Sequence, residues 1–295
     1  MEETMSLKCE NVGKTYHGKE VLKDINLEIE QGKIYGLIGR NGAGKTTLLS
    51  VMTAQNPATG GTVTYDGKPV WENPAALEHL CFSREISPVS SFGENNIKVK
   101  EYLRIASIFY PKWDAQMAKR LTAQFGLDGK QKISKISKGM MSMVTIIVAL
   151  ASKADVTMMD EPVAGLDVVA REQFYRFLIE EYTQTGRTFV ISTHIIEEAA
   201  DVFEEVILLK NGTVLLKENT QKLLDRCLHV SGNAQDVDAA CAGLAVQRVK
   251  TMGRSKGATV MLEEGQQITG AHQVTVQPVS LQELFLALCG EEEAV

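Results

Sequence analysis

The stretch Ile34-Tyr35-Gly36-Leu37-Ile38-Gly39-Arg40-Asn41-Gly42-Ala43-Gly44-Lys45-Thr46 decides how this chain is read. Its first five residues carry no charge and have the character of a strand covered on both faces. Gly39–Thr46 then fits G-x-x-x-x-G-K-[ST], and a helical stretch from Lys45 to about Thr53 follows. Strand, glycine-rich loop and helix in that order make a phosphate cradle. The glycines let backbone N–H groups turn inward and the helix N-terminus adds positive potential. Lys45 reaches the terminal phosphates and Thr46 offers a hydroxyl to Mg²⁺. An upstream Gly13-Lys14-Thr15 also reads G-K-T, but Lys8 stands where the first glycine is needed and no strand feeds it.

A second half of the site lies downstream. Val156-Thr157-Met158-Met159-Asp160-Glu161 is an apolar run ending in two carboxylates. An acid at such a strand end anchors Mg²⁺, which assigns Asp160. Glu161, one residue on, faces a water as its general base.

Around these motifs the pattern is mixed. Leu7, Cys9 and Val12, then Val21, Ile25, Leu27 and Ile29, alternate with polar residues about a break at His17-Gly18-Lys19, which predicts antiparallel strands. Asp66-Gly67 and Asn211-Gly212 mark two further hairpin turns. From Asn73 to Lys138 helical signals dominate: Asn73-Pro74 as cap and first turn, an apolar periodicity over Val99–Phe109, and a helix from Trp113-Asp114 to Phe125 closed by Gly126. Strand-like runs return at Val156–Met159, Thr188–Ser192 and Val206–Leu209, separated by helices, as in a strand–helix–strand sheet. Beyond about Thr220 come short strands at Leu228–Val230, Ala245–Thr251, Ala258–Leu262 and Gln273–Gln277. A helix at Gln235–Ala242 and a last helix behind the Ser280/Glu283 capping box complete a small α+β pattern, with a short helix expected before its last strand.

Composition narrows the class. At 295 residues the chain favours two domains, or one large domain with an appendage. Its 31 Lys and Arg against 37 Asp and Glu give −6, which argues against coating nucleic acid. The longest uncharged apolar candidate, Val144–Ser152, is far short of the ~20 residues of a membrane span. The acidic Met1-Glu2-Glu3-Thr4 lacks the apolar core of a secretory signal. Cys9, Cys81, Cys227, Cys241 and Cys289 are odd in number and scattered, reading as thiols of a reducing compartment. His17, His79, His229 and His272 show no metal-ligand spacing, and Met140-Met141-Ser142-Met143 reads as helix packing.

The order Gly39–Thr46, Ser137-Lys138-Gly139-Met140, Met158-Met159-Asp160-Glu161-Pro162, Ala164-Gly165-Leu166-Asp167 and Ser192-Thr193-His194 resembles the ATP-binding subunit of ABC transporters over roughly residues 5–218. The resemblance implies an α/β P-loop NTPase core with an N-terminal antiparallel β subdomain and a helical subdomain at about 73–138. On this reading residues 1–220 form the ATPase domain and 221–295 a small C-terminal α+β accessory domain. It further implies a head-to-tail dimer, with itself or with a second ATPase subunit, holding two ATP with Mg²⁺. Tyr16 would stack on adenine. Gly39, Asn41, Gly42, Ala43, Gly44, Lys45, Thr46 and Thr47 would hold phosphate, with Thr46 and Asp160 at the metal. Glu161 would be the base and His194 a γ-phosphate contact. Ser137 and Gly139 would reach the partner's nucleotide, and Asp167 would lie at the dimer contact.

Two positions depart from the family pattern. The signature reads Ile136-Ser137-Lys138-Gly139-Met140 where L-S-G-G-Q is commonest. Cys81-Phe82-Ser83-Arg84-Glu85 aligns with a family strand that ends in Gln, and Arg84 takes the Gln position. Guanidinium has no acceptor for Mg²⁺. Either Glu85 substitutes, or coupling between Mg²⁺ and the membrane partner is altered.

The signature, Tyr110-Pro111-Lys112-Trp113-Asp114 and the terminal Leu281–Phe285 helix look like ABC-2-type ATPases of bacterial peptide, antibiotic and multidrug exporters. That implies a transmembrane permease subunit as partner, no nucleic acid, and a cytoplasmic protein peripheral on the inner face of the membrane. The alternative is a soluble ABC-type ATPase acting on DNA or ribosomes. A single nucleotide-binding half, no coiled-coil or zinc insertion and an acidic balance stand against it. A GTPase is disfavoured by the missing N-K-x-D.

Overall fold

The computed structural model describes residues 5–85, 97–263, 265–268 and 273–290; the acidic first four residues and His272 lie outside them. The chain divides into two compact units. One runs to His194 and resumes over Ile207–Leu216; the other comprises Ile195–Val206 and the residues from Lys217 onward.

The first unit opens with β1 (Ser6–Tyr16), β2 (Lys19–Glu30) and β3 (Ile34–Ile38), then α1 (Lys45–Met52), β4 (Gly60–Tyr65) and β5 (Lys68–Pro69). β2-β1-β4-β5 form an antiparallel sheet. Cross-strand partners Leu7, Ile29 and Tyr65, and beside them Cys9, Leu27 and Val63, line its inner face and pack with Leu48 and Met52 of α1 in one core. His17-Gly18, Asp66-Gly67 and Asn211-Gly212 all have positive φ at both residues, the conformation that closes a hairpin compatibly with strand twist.

There follow α2 (Pro74–Leu77), β6 (Leu80–Ser83), α3 (Val99–Phe109), α4 (Ala115–Gln124), a 3₁₀ turn at Ile133–Lys135 and α5 (Lys138–Ala151). Then come β7 (Val156–Asp160), α6 (Val168–Thr185), β8 (Thr188–Thr193), α7 (Ile196–Ala199), β9 (Glu205–Lys210) and β10 (Thr213–Asn219). The second sheet has the order β10-β9-β3-β8-β7-β6, and β3, β8, β7 and β6 pair in parallel. β6 lies inside the 73–138 stretch that the sequence reads as helices and polar connections, where the resemblance aligns a strand, and it pairs in parallel with β7. Every residue of β3 and β8 is buried, which explains their uncharged, non-alternating sequence.

α5 is apolar on nearly every side and ten of its fourteen residues are buried. Its C-terminal carbonyls receive a buried cation. Arg187 donates to Leu150 O at 2.7 Å and to Ala149 O at 3.4 Å, as well as to Thr157 Oγ1 at 3.2 Å. Burial pushes this guanidinium's pKa down and the nearby Glu181 carboxylate opposes that. Glu181 is itself fully buried, 3.0 Å from Arg187 Nε, and accepts from Lys153 at 2.7 Å. Lys153 is in turn 3.7 Å from Asp114, the N-cap of α4. The Tyr110–Asp114 segment is tied down beside it: Cys81 donates to Tyr110 OH at 3.3 Å and Lys112 to Asp155 at 2.6 Å. His79, its side chain about one-third exposed, also pairs with Asp155.

The second unit contains α8 (Thr220–Asp225), β11 (Cys227–Asn233), α9 (Ala234–Ala240), β12 (Ala245–Met252), β13 (Ser255–Met261), β14 (Val274–Pro278) and α10 (Leu281–Cys289). Its antiparallel sheet has the order β12-β13-β11-β14, a split βαβ with β13 slotted between β11 and β12. Val230, Val237, Ala240, Ala258 and Val260 form its core. The short helix expected before β14 is not formed by residues 265–268; residues 264 and 269–272 lie outside the described residues. α8 has no counterpart in the sequence reading. α10 packs against α7, which accounts for Ile195–Val206 belonging to this unit. All five cysteines are buried and none forms a disulfide, and burial alone pushes the Cys9 thiol up to about 12. Among the described residues no helix is long and apolar enough to cross a membrane.

The Glu181–Arg187 pair generates a stability prediction. Glu181→Ala leaves Arg187 buried without its carboxylate and is expected to cost about 3–5 kcal/mol, read as a lowered urea midpoint. A change below ~1 kcal/mol would show that the carbonyl contacts alone satisfy the guanidinium.

Candidate functional site

The loop between β3 and α1 shapes a cleft of about 280 Å³ lined by Val21, Arg40, Asn41, Gly42, Gly44–Thr47 and Glu161. Two of its glycines are obligatory on geometry. A Cβ at Gly39 would lie 2.5 Å from Leu209 O, and Gly44 has φ +107 with Val21 O 3.2 Å from where a Cβ would sit. Ala43 is buried beneath the loop, its N–H bonded to Arg40 O at 3.0 Å. Lys45, 7% exposed, folds back and donates to Gly39 O at 2.7 Å, so its ammonium stands at the mouth of the loop.

β7 delivers the carboxylates. Thr46 Oγ1 donates to Asp160 Oδ2 at 2.6 Å, joining the loop to the end of β7. Asp160's other oxygen accepts from Ser192 Oγ at the end of β8. Glu161 has φ +50, a left-handed conformation that costs a non-glycine residue about 1–3 kcal/mol. Its N–H is held by Ser192 O at 3.1 Å and Ser192 Oγ at 3.0 Å, contacts worth about 1 kcal/mol each. The turn aims the Glu161 carboxylate at the cleft. There Oε1 lies 3.6 Å from Lys45 Nζ, and Oε2 is 2.6 Å from His194 Nδ1.

The structure therefore brings together Gly39, Asn41, Gly42, Ala43, Gly44, Lys45, Thr46, Thr47, Asp160, Glu161 and His194. Ser192 joins them without having been assigned a role from sequence, although it stands in the Ser192-Thr193-His194 triplet.

The remaining candidates sit elsewhere in the same unit. Tyr16 ends β1, 36% exposed, with Lys14 Nζ 4.8 Å from its ring centroid. Ser137 caps α5 by accepting from Met140 N at 3.2 Å, and Asp167 caps α6 by accepting from Ala170 N at 2.8 Å. Gly139 lies against the loop that follows Glu161, where a Cβ would be 2.5 Å from Gly165 O. A wider open depression of about 670 Å³ runs along α6 near Tyr175 and Ile179 and is lined by none of these residues.

The donor set fits a nucleotide phosphate with a hard cation. Among the described residues no cluster of three or more His, Cys, Asp and Glu is placed to hold a metal by itself. The Thr46 hydroxyl and Asp160 carboxylate offer only the two oxygen contacts that Mg²⁺ takes when phosphate and water complete its shell.

The ABC transporter family model matches residues 22–164, spanning both the phosphate loop and the paired carboxylates. The manganese transport system ATP-binding protein MntB of Bacillus subtilis is 32% identical over 209 residues, 69% of this chain and 82% of that protein. The chain belongs to the ABC transporter ATP-binding proteins. The taurine import ATP-binding protein TauB of Shigella flexneri is 33% identical over 200 residues, covering 67% of this chain and 76% of its own length. The ABC transporter ATP-binding protein YtrB of B. subtilis is 26% identical over 208 residues, 70% of each chain. Among solved structures, an ATP-binding subunit of an ABC transporter superposes with TM-score 0.65 at 24% identity, covering 74% of this chain and 92% of that one. An ATP-binding cassette in a dimeric post-hydrolysis state bound to ADP and Pi does so with TM-score 0.62 at 24% identity, over 72% of this chain and 98% of that one. The α/β P-loop core with its antiparallel β subdomain and helical part is the fold of these cassettes.

Ser192→Ala removes one bond from Asp160 and one from the strained Glu161 backbone. It is expected to destabilise the first unit by about 1–2 kcal/mol and to lower ATP turnover roughly tenfold to a hundredfold, as loss of an outer-shell partner does. Denaturation and steady-state phosphate release measure the two. Unchanged turnover would show that Glu161 holds its geometry without the serine.

Proposed function

We propose that this ABC transporter ATP-binding subunit hydrolyses ATP, in a head-to-tail dimer, to drive transport through separate membrane subunits. The observation that carries the chemistry is the Glu161 carboxylate, aimed at the phosphate loop from a left-handed turn between Lys45 and His194. On this reading the backbone N–H groups of Gly39–Thr47, with Lys45, bind the β- and γ-phosphates. A water attacks the γ-phosphorus in line, the bond to the ADP oxygen breaks, and Glu161 accepts the water's proton. His194 orients Glu161 and contacts the γ-phosphate. Thr46 and Asp160 hold Mg²⁺, which when bound neutralises charge developing on the phosphate oxygens. Tyr16 stacks on adenine. Ser137 and Gly139 of one protomer close on the nucleotide of the other, with Asp167 at the contact between protomers, homodimeric or heterodimeric.

The partner is a transmembrane permease. Its recruitment places the chain in the cytoplasm, peripheral on the inner face of the membrane. Residues 221–295 form an accessory domain following an ATPase domain of 1–220, whose helical subdomain occupies about 73–138. The direction proposed is export, of the ABC-2 type. It is supported by the likeness of Ser137–Met140, Tyr110–Asp114 and Leu281–Phe285 to bacterial exporter ATPases. Import is the second reading, favoured by the taurine import relative. Substrate flux in vesicles containing the permease separates the two directions.

Glu161→Gln is expected to lower turnover by roughly 10²–10⁴-fold while ATP converts the monomer into a stable dimer, followed by light scattering. A variant that stays monomeric at saturating ATP would refute the head-to-tail mechanism.

A further inference from the structure

Lys138 occupies the position where the common signature has glycine, and its surroundings bring three motifs together. Its ammonium lies 3.2 Å from Glu85 Oε2, just past the end of β6. Its stem lies across Gly165 in the loop after Glu161: a Cβ on Gly165 would meet Lys138 Cγ at 3.0 Å and Cδ at 3.4 Å. It directly follows Ser137, the N-cap of α5. The ion pair is open to solvent, with side-chain exposures of 57% and 58%, and such pairs contribute little to stability.

The electrostatics of the position are unusual. A cation in the first helical turn faces the positive end of the helix dipole, where an anion is preferred. Lys138 adds its charge to the backbone N–H groups of α5, and together they make a strongly electropositive point. Glu85 is the anion that meets the ammonium in this structure. A triphosphate carries more charge and more acceptor oxygens than one exposed carboxylate, and charge-assisted contacts to phosphate are among the stronger hydrogen bonds.

We propose that Lys138 is a phosphate-binding residue whose ammonium exchanges between Glu85 of its own chain and the γ-phosphate bound by the partner protomer. The inference rests on the head-to-tail reading above. In the separated protomer Glu85 neutralises Lys138. In the ATP dimer the phosphate takes the ammonium and Glu85 is released at the end of β6. The lysine in the signature and Glu85, which stands next to the Arg84 departure, are then one device. Glu85 competes with nucleotide for Lys138, so it sets the ATP concentration at which the dimer closes. The Gly165 contact holds the lysine stem in place while its head changes partner.

The competition predicts opposite signs for its two members. In the Glu161→Gln background, the ATP concentration giving half-maximal dimer is measured by light scattering. Adding Lys138→Gln is expected to raise it roughly tenfold, the scale of one charge-assisted contact. Adding Glu85→Gln is expected to lower it, because the ammonium is no longer held. Combining the two should match Lys138→Gln alone, since Glu85 acts only through the lysine, and Lys138→Arg should restore most of the parent's behaviour. If the parent dimerises but Lys138→Gln leaves the midpoint unchanged, or both substitutions raise it, the pair is a structural tie and the inference is wrong. If the parent itself does not dimerise with ATP, the head-to-tail reading falls and takes this inference with it.

Discussion

A glutamate backbone in the left-handed region is the constraint on which the site depends. Glu161 can face the phosphate loop only because the chain turns sharply at the end of β7, and that turn is unfavourable for any residue with a Cβ. Ser192 stabilises it from the neighbouring strand with its carbonyl and its hydroxyl, and the same hydroxyl reaches Asp160. The parallel register of β7 and β8, with Asp160 opposite Ser192, is therefore also the alignment of the two carboxylates. Displacing that register by one residue would separate the Glu161 carboxylate from its partners at the cleft.

Most of this was legible in the residues because the chemistry is local. The loop Gly39–Thr46 needs its glycines in fixed order, and the observed clash distances at Gly39 and Gly44 show why. The three turns read from His17-Gly18, Asp66-Gly67 and Asn211-Gly212 all adopt the positive φ pairs that those residues tolerate. Ser280 and Glu283 form the reciprocal cap that their spacing announces. Ser192 escaped notice because its role is made by a strand neighbour thirty-two positions away from Asp160, and no local pattern encodes such a pairing. The Glu85–Lys138 contact escaped for the same reason: the signature lysine and the glutamate beside Arg84 lie more than fifty positions apart and meet only in the fold.

The C-terminal unit was harder to read, and the physical cause is its weak local signals. α8 is six residues long with only two buried, so it carries too little periodicity to announce itself, although Asn219 caps it. The order β12-β13-β11-β14 depends on inserting a hairpin strand between two others, which alternation of polar and apolar residues cannot specify. Length alone set the expectation of two domains. It could not show that Ile195–Val206, which precedes the end of the first unit in sequence, belongs with the second.

The buried Arg187 has a consequence beyond stability. By binding two carbonyls in the last turn of α5 it offsets part of the negative pole of that helix, while its own charge is shared with Glu181. The opposite pole, at Ser137–Gly139, carries the Lys138 ammonium instead, which Glu85 meets. The two ends of α5 are thus each held by a charged pair. Because the helix is buried along most of its length, those two pairs stand at a fixed separation.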